Sequence, residues 1–306
     1  MFVLYEKGVL LNVTKYTSLA RKLPKPIYKV LSQAFIDKEF PRHIFIETTS
    51  ACNLSCSYCP REKRSDHMDY NLFMSIVDEC SIHGPRSFSL HLFGEPLLYP
   101  RILDAIRYIK FKNKHHTVLL TTNGTLLNRF SRSLLEVGVD RVIWSWRKNN
   151  FDDDSIDLLR KRGLIRLLIE ETPAEEFERW KTFPRVEIKH LHNYGGHIDI
   201  SKWGLQSLDD SLDRWPCYHL WLAPAVRWNG DITICCNDPT GRESLGAYPQ
   251  TSLSEVWRGE KLKLIRESHL KAEYGGLCKG CDSWKAYPEI FFGWQKKCSK
   301  HSQALS

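Results

Sequence analysis

The sequence predicts an α/β protein whose parallel sheet curls toward a partial (β/α)6 barrel, followed by a small C-terminal subdomain of different character. Six β-rich runs, at 43–49, 87–92, 117–121, 141–145, 165–169 and 185–190, alternate with amphipathic stretches, the pattern of β-α units on a parallel sheet. Leu72, Phe73, Ile76, Val77 and Cys80 recur at helical spacing after the first run, and Ile102, Ile106 and Ile109 do so after the second. Beyond Gly195-Gly196 the rhythm gives way to a Trp- and Cys-rich segment with hairpin and helix signals.

These observations divide the chain into 1–41, 42–196 and 197–306. Residues 1–43 hold eight basic and three acidic side chains, and Pro24 and Pro26 interrupt them, so the first segment is expected to be a basic helical extension. In the second, short right-handed crossovers curl the sheet and place an active site at the carboxyl ends of the strands. An open flat sheet is the competing arrangement.

Composition narrows the class. The 306 residues suffice for a core domain and an appendage. No apolar run reaches the roughly 18 residues of a membrane span. Residues 1–13 lack the basic start and small-residue cleavage site of a signal peptide, so the chain is expected to be soluble and cytoplasmic. Ten cysteines in that compartment point to metal rather than disulfides. The net charge of +8 suits an anionic partner, nucleic acid included.

Directly after the first strand run, Cys52, Cys56 and Cys59 are separated by three and then two residues. Three thiolates leave one iron of a [4Fe-4S] cluster without a protein ligand. Zinc, which prefers four ligands, would need His67 or another distant group.

This CxxxCxΦC pattern, with Tyr58 before the last cysteine, resembles the signature of the radical S-adenosylmethionine (SAM) superfamily. The resemblance implies a partial (β/α)6 radical SAM barrel. It also implies a cluster whose open iron chelates SAM, with Tyr58 near the adenine, and an electron from a flavodoxin- or ferredoxin-type reductant. The product would be a 5′-deoxyadenosyl radical that takes hydrogen from a C–H bond, the cofactors supplying the chemistry and the protein the orientation.

Further segments fit in order, each at a strand end. Phe93-Gly94-Glu95-Pro96 resembles the family's GGEP motif with Phe for the first Gly. Thr121-Thr122-Asn123-Gly124 resembles its TNG segment, and Ser145 matches a SAM-contacting serine. Gly94, Glu95, Pro96, Thr122, Asn123 and Ser145 thus join Tyr58 as expected SAM-site residues.

Downstream, Cys217, Cys235, Cys278 and Cys281 are separated by seventeen, forty-two and two residues. Four thiolates suit either a tetrahedral zinc or a fully ligated [4Fe-4S] cluster, and spacing alone does not separate them. Beside a radical SAM core, the segment resembles the twitch subdomain, a shortened SPASM domain with one auxiliary cluster. Gly230 five residues before Cys235 and the segment Leu253-Ser-Glu-Val-Trp257 support it. The expected cofactors are therefore SAM and two [4Fe-4S] clusters. Cys236 is expected to face away from Cys235, Cys80 to lie in the core, and Cys298 to be a free thiol.

Arg61, Lys63 and Arg64 after the cysteine loop, and Arg147 and Lys148 after Ser145, are expected to hold an anionic substrate undergoing oxidation or isomerisation. The readings left open are a nucleic-acid or nucleotide base-modifying enzyme, an amino sugar or cyclitol dehydrogenase, a ribosomal peptide maturase, and a non-enzymatic zinc-stabilised nucleic-acid-binding protein.

Overall fold

Six parallel strands lie side by side in chain order, and that order decides the architecture. In the computed structural model, which describes residues 3–6, 9–12, 39–146, 153–170, 186–189, 193–203, 214, 216–217 and 219–283, β3 (His43–Ile46), β4 (Ser87–Ser89), β5 (Thr117–Thr122), β6 (Arg141–Trp146), β7 (Ile165–Glu170) and β8 (Val186–Lys189) pair successively in parallel. A doubly wound sheet reverses its order at a switch point. Here nothing reverses, so right-handed crossovers place the intervening helices on one side and the sheet curls about the other. Those helices are α1 (Tyr70–Ile82), α2 (Ile102–Lys112), α3 (Leu127–Glu136) and α4 (Asp153–Lys161).

Period-two alternation sorts the strand residues. Ile44, Ile46, Phe88, Leu90, Val118, Leu120, Val142 and Trp144 form one apolar core with Phe73, Ile76, Val77, Ile106 and Ile109 of the helices. The alternate residues His43, Phe45 and Glu47, and Ser89 and His91, face the inside of the curl. Asp69 caps α1 by accepting from the Leu72 N–H at 3.0 Å.

Both sheet edges are extended. Beyond β3 lie β9 (Ala225–Val226), parallel to it, then β10 (Asp231–Thr233) and β11 (Ser244–Ala247), both antiparallel to their neighbours. At the other edge, β1 (Val3–Glu6) and β2 (Val9–Asn12) form a hairpin on β8. This corrects the expectation of a helical N-terminal extension over these residues. Their Val-Leu-Tyr and Val-Leu-Leu runs suit strands, and the edge of β8 supplies backbone partners that sequence periodicity does not reveal. Residues 13–38 and Cys298 lie outside the described residues.

The C-terminal segment divides its loyalty. Val226, Ile232, Leu253 and Val256 belong to the barrel's own core, and α6 (Leu253–Arg258) has its first amides capped by Glu79 of α1, at 3.1 and 2.9 Å. A smaller core of Leu220, Trp221, Ile234, Cys235, Trp257, Leu262 and Leu277 is separate. It packs α5 (His219–Leu222), α7 (Glu260–Leu270) and α8 (Gly276–Lys279) around the cysteines. Among the described residues no helix is long and apolar enough to cross a membrane.

Candidate active site

Beyond β3 the chain leaves the sheet at its carboxyl end and closes on itself. The Met68 N–H donates to Thr48 O at 2.9 Å, Ser50 N–H to Asp66 O at 2.9 Å, and Thr49 Oγ1 meets His67 Nδ1 at 2.8 Å. His67 is thereby engaged in closing the loop. Inside it, Arg61 donates to the carbonyls of Ser50, Cys52 and Leu54, each at 3.4 Å. Cys52, Cys56 and Cys59 are half-buried. Burial pushes the Cys59 thiol up, with Cys56 and Cys52 close enough to act on it.

The loop after β4 holds this arrangement from beside. A Cβ at Gly94 would sit 1.9 Å from Thr49 O, so only glycine lets the two loops approach so closely. The Glu95 N–H donates to Ala51 O at 2.7 Å. Its carboxylate, 2% exposed, accepts from Thr122 Oγ1 at 2.7 Å, from the Asn123 N–H at 2.7 Å and from the Leu97 N–H at 3.1 Å. Burial raises its pKa. Asn123 Nδ2 reaches Cys52 Sγ at 3.8 Å and Asn53 Oδ1 at 2.9 Å, and Asn53 Nδ2 donates to Thr125 Oγ1 at 2.8 Å. The ends of β3, β4 and β5 are thus one hydrogen-bonded unit around the three thiols.

The expected residues fall into two groups. Gly94, Asn123, half-buried Tyr58 and buried Ser145 stand at the carboxyl ends of the strands or in the cysteine loop. Glu95, Pro96 and Thr122 are buried, and Glu95 and Thr122 are occupied with each other and with backbone amides, so they brace the site rather than present side chains to a ligand. The expected substrate cations are largely engaged elsewhere. Arg61 is spent on loop carbonyls. Arg64 pairs with Asp66 at 2.6 Å and lies over the Trp228 ring at 5.0 Å. Lys63 is exposed, and Arg147 and Lys148 lie outside the described residues.

Sequence reasoning passed over the polar interior and its junction with the C-terminal segment. Ser89 Oγ meets His43 Nε2 at 3.0 Å, and Thr121 Oγ1 meets His91 Nε2 at 2.9 Å. Burial lowers the His43 pKa to about 3, aided by His91 and His219, so its ring is neutral. Buried Arg227, just past β9, faces Glu47 at 4.0 Å, Glu62 of the cysteine loop at 3.4 Å and Asp231 at 3.7 Å, and donates to Thr240 O at 3.0 Å. Burial raises the Glu47 pKa to about 7 against the opposing pull of Arg227. An arginine directly after an apolar Ala-Val pair was the available signal.

Cys217, Cys235, Cys278 and Cys281 line one cavity with Arg214, His219, Leu220, Ile234, Asn237 and Leu277. The Cys217 N–H donates to His269 Nδ1 at 3.2 Å, and the Asn237 N–H to Cys235 Sγ at 3.4 Å. Asn193, just past β8, donates through Nδ2 to Gly280 O at 2.6 Å and through its backbone N–H to Asp282 Oδ1 and Oδ2 at 3.1 Å, tying the last cysteine turn to the barrel. Burial pushes all four thiols up, Cys278 to about 12, so a bound metal must displace protons. A tetrahedral zinc with Zn–S near 2.3 Å draws its thiolates within about 4 Å of one another. Four thiols lining one cavity supply a complete set of protein ligands, which suits either such a zinc or a fully ligated [4Fe-4S] cluster. Three thiols in one open loop likewise fit a cluster with one iron left for an external ligand.

Comparison with known proteins agrees with this geometry. The model of the Radical SAM superfamily matches residues 46–145, and that of the SPASM iron-sulfur cluster-binding domain matches 217–282. The GTP 3′,8-cyclase of Chlorobaculum tepidum is 30% identical over 150 residues, 48% of this chain and 43% of that protein. Against this relative and two that match comparably, the chain spans 30 to 43% of the relative's own length. The S-adenosyl-L-methionine-dependent 2-deoxy-scyllo-inosamine dehydrogenase of Niallia circulans is 22% identical over 262 residues, 81% of this chain and 95% of that one. The crystal structure of BtrN with AdoMet and 2-DOIA superimposes with a TM-score of 0.58 at 20% identity, over 78% of this chain and 92% of that chain.

Proposed function

We propose that this chain, which belongs to the radical SAM superfamily and carries a C-terminal SPASM iron-sulfur domain, oxidises a small polar substrate by hydrogen abstraction and passes the remaining electron to an auxiliary cluster. Its cofactors are SAM and iron-sulfur clusters. We assign the SAM-binding [4Fe-4S] cluster to Cys52, Cys56 and Cys59, and a second [4Fe-4S] cluster to Cys217, Cys235, Cys278 and Cys281. When bound, these groups supply a 5′-deoxyadenosyl radical that takes a hydrogen atom from a substrate carbon, and an acceptor for the second electron as the substrate proton leaves.

The carrying observation is that the four-thiol cavity is built onto the same sheet as the cysteine loop. β9 pairs with β3, and Arg227 spans from one unit to Glu62 in the other. Such a junction holds an electron acceptor in fixed relation to the SAM site, a use that isomerisation does not have. The chain's residues then do positioning work. Gly94 lets the loop after β4 close on the cysteine loop at Thr49, Asn123 donates toward Cys52 Sγ, and the half-buried polar groups of His91 and Thr121 face the interior where hydroxyl or amino groups of a substrate would bind. Near-complete coverage of the inosamine dehydrogenase supports a cyclitol or amino sugar as substrate. A nucleotide is the second reading, favoured by the stretch shared with the GTP cyclase and by the positive net charge. A flavodoxin- or ferredoxin-type reductant would deliver the first electron.

The test is anaerobic reconstitution followed by assay of 5′-deoxyadenosine with amino cyclitols, nucleoside triphosphates and peptides. About eight irons per chain are expected, slow cleavage of SAM without substrate, and stimulation by a cyclitol with one oxidised product per 5′-deoxyadenosine. Stimulation by triphosphates alone selects the second reading. A rearranged product of unchanged oxidation state overturns the first.

A further inference from the structure

Three residues before Cys217, Arg214 is held on the far cysteine turn. One guanidinium nitrogen donates to Lys279 O at 3.1 Å and another to Cys278 O. The guanidinium lies 3.9 Å from the centre of the Tyr274 ring, and Tyr274 Oη donates back to Arg214 O at 2.9 Å. Arg214 also lines the four-cysteine cavity, and among the described residues that do so it alone carries a permanent charge.

The carboxylates near the cavity brace its backbone. Glu243 accepts from the Leu277 N–H at 3.1 Å. Asp238 accepts from the amides of Arg242 and Glu243 at 2.9 and 2.8 Å. Arg214, bonded to the carbonyls of Cys278 and Lys279 and lining the cavity, sets a positive charge beside the cluster site. Adding an electron to a thiolate-ligated cluster makes it more negative, so a fixed cation at this distance stabilises the reduced form more than the oxidised one.

We propose that Arg214 is a positioning residue that acts through the auxiliary cluster, holding its turn in place and raising its reduction potential so that it accepts an electron. This rests on the assignment of a second cluster to these four cysteines. The planar, always-charged side chain suits both tasks, since its fork bridges two carbonyls while its face rests on a ring.

The test is a redox titration of the reconstituted protein followed by electron paramagnetic resonance, with iron and zinc measured first. Wild type near four irons with one zinc sinks the cluster assignment itself, separately from the role of Arg214. Given two clusters, Arg214→Gln should shift the auxiliary cluster's ratio of reduced to oxidised forms at fixed potential about tenfold toward oxidised, about 59 mV for one electron. The SAM-binding cluster should titrate unchanged. Arg214→Lys, which keeps the charge, should stay near wild type. A fully loaded Arg214→Gln variant with an unshifted potential overturns the proposal. If Arg214→Gln loses its second cluster, Arg214→Lys decides: a retained cluster at the wild-type potential supports the proposal, and a lost cluster or a tenfold shift overturns it.

Discussion

The loop bearing Cys52, Cys56 and Cys59 takes its three ligands from eight consecutive residues and is tied down by hydrogen bonds to backbone, to Arg61 and to the ends of β4 and β5. Cys217, Cys235, Cys278 and Cys281 are drawn from 65 residues of chain and meet against a core of seven buried side chains. The first arrangement is local, polar and open to an external ligand. The second is dispersed and rests on a small apolar core. A polar loop braced by a large barrel keeps its shape without metal, whereas a seven-residue core is too small to hold its segments together alone, and metal binding there is coupled to folding.

Cysteine replacement gives the largest effects and tests that contrast directly. Changing Cys52, Cys56 and Cys59 to Ala should remove about half the iron and abolish SAM cleavage while leaving thermal unfolding nearly in place. Changing Cys217 and Cys281 to Ala should remove a similar share of iron, spare substrate-free cleavage and lower the unfolding temperature clearly. Equal stability losses in the two variants would break the contrast.

Next comes the joint between the units. Arg227→Met leaves Glu47 buried without its counter-charge and should cost about 3 to 5 kcal/mol in denaturant unfolding, part of it recovered in the double variant with Glu47→Gln. Additive losses would show that the two residues do not act as a pair.

Glu47 itself sharpens the picture through pH. Its folded pKa, about 7, lies above the ordinary carboxylate value of 4.5. The folded state therefore holds the proton more tightly than the unfolded one, and stability falls as pH rises from about 4.5 through about 7, by up to about 3 kcal/mol. Glu47→Gln should remove that decline, so the stability difference between variant and wild type should change in the variant's favour between pH 5 and pH 8. A pH-independent difference rules the account out.

Smaller effects follow at the loop. Gly94→Ala forces a Cβ against Thr49 O and should cost about 1 to 3 kcal/mol together with weaker SAM binding by equilibrium dialysis. Arg64→Ala breaks an exposed pair with Asp66 and should cost under about 1 kcal/mol. If substrate KM rises strongly in that variant, Arg64 contacts the substrate after all.

The amino-acid sequence by itself determined what depends on neighbours along the chain. The six strands and the helices between them follow from period-two and period-3.6 patterning, and the spacing of Cys52, Cys56 and Cys59 places three ligands in one loop whatever surrounds it. Gly94 is legible for the same reason, since a glycine at a strand end beside such a loop signals close backbone approach. Contacts between distant segments were decided only by tertiary structure. The hairpin Val3–Asn12 takes its strand form from the free edge of β8. Arg61 turned inward because three loop carbonyls converge on it. Glu47, Glu62 and Arg227, separated by up to 180 positions, meet because β9 joins β3. Arg214 acquired a part because the turn of Cys278 and Cys281 folds back over it. In each case the energy lies in satisfying a buried charge or carbonyl, and its partner is chosen by how the sheet is assembled rather than by anything written beside it in the chain.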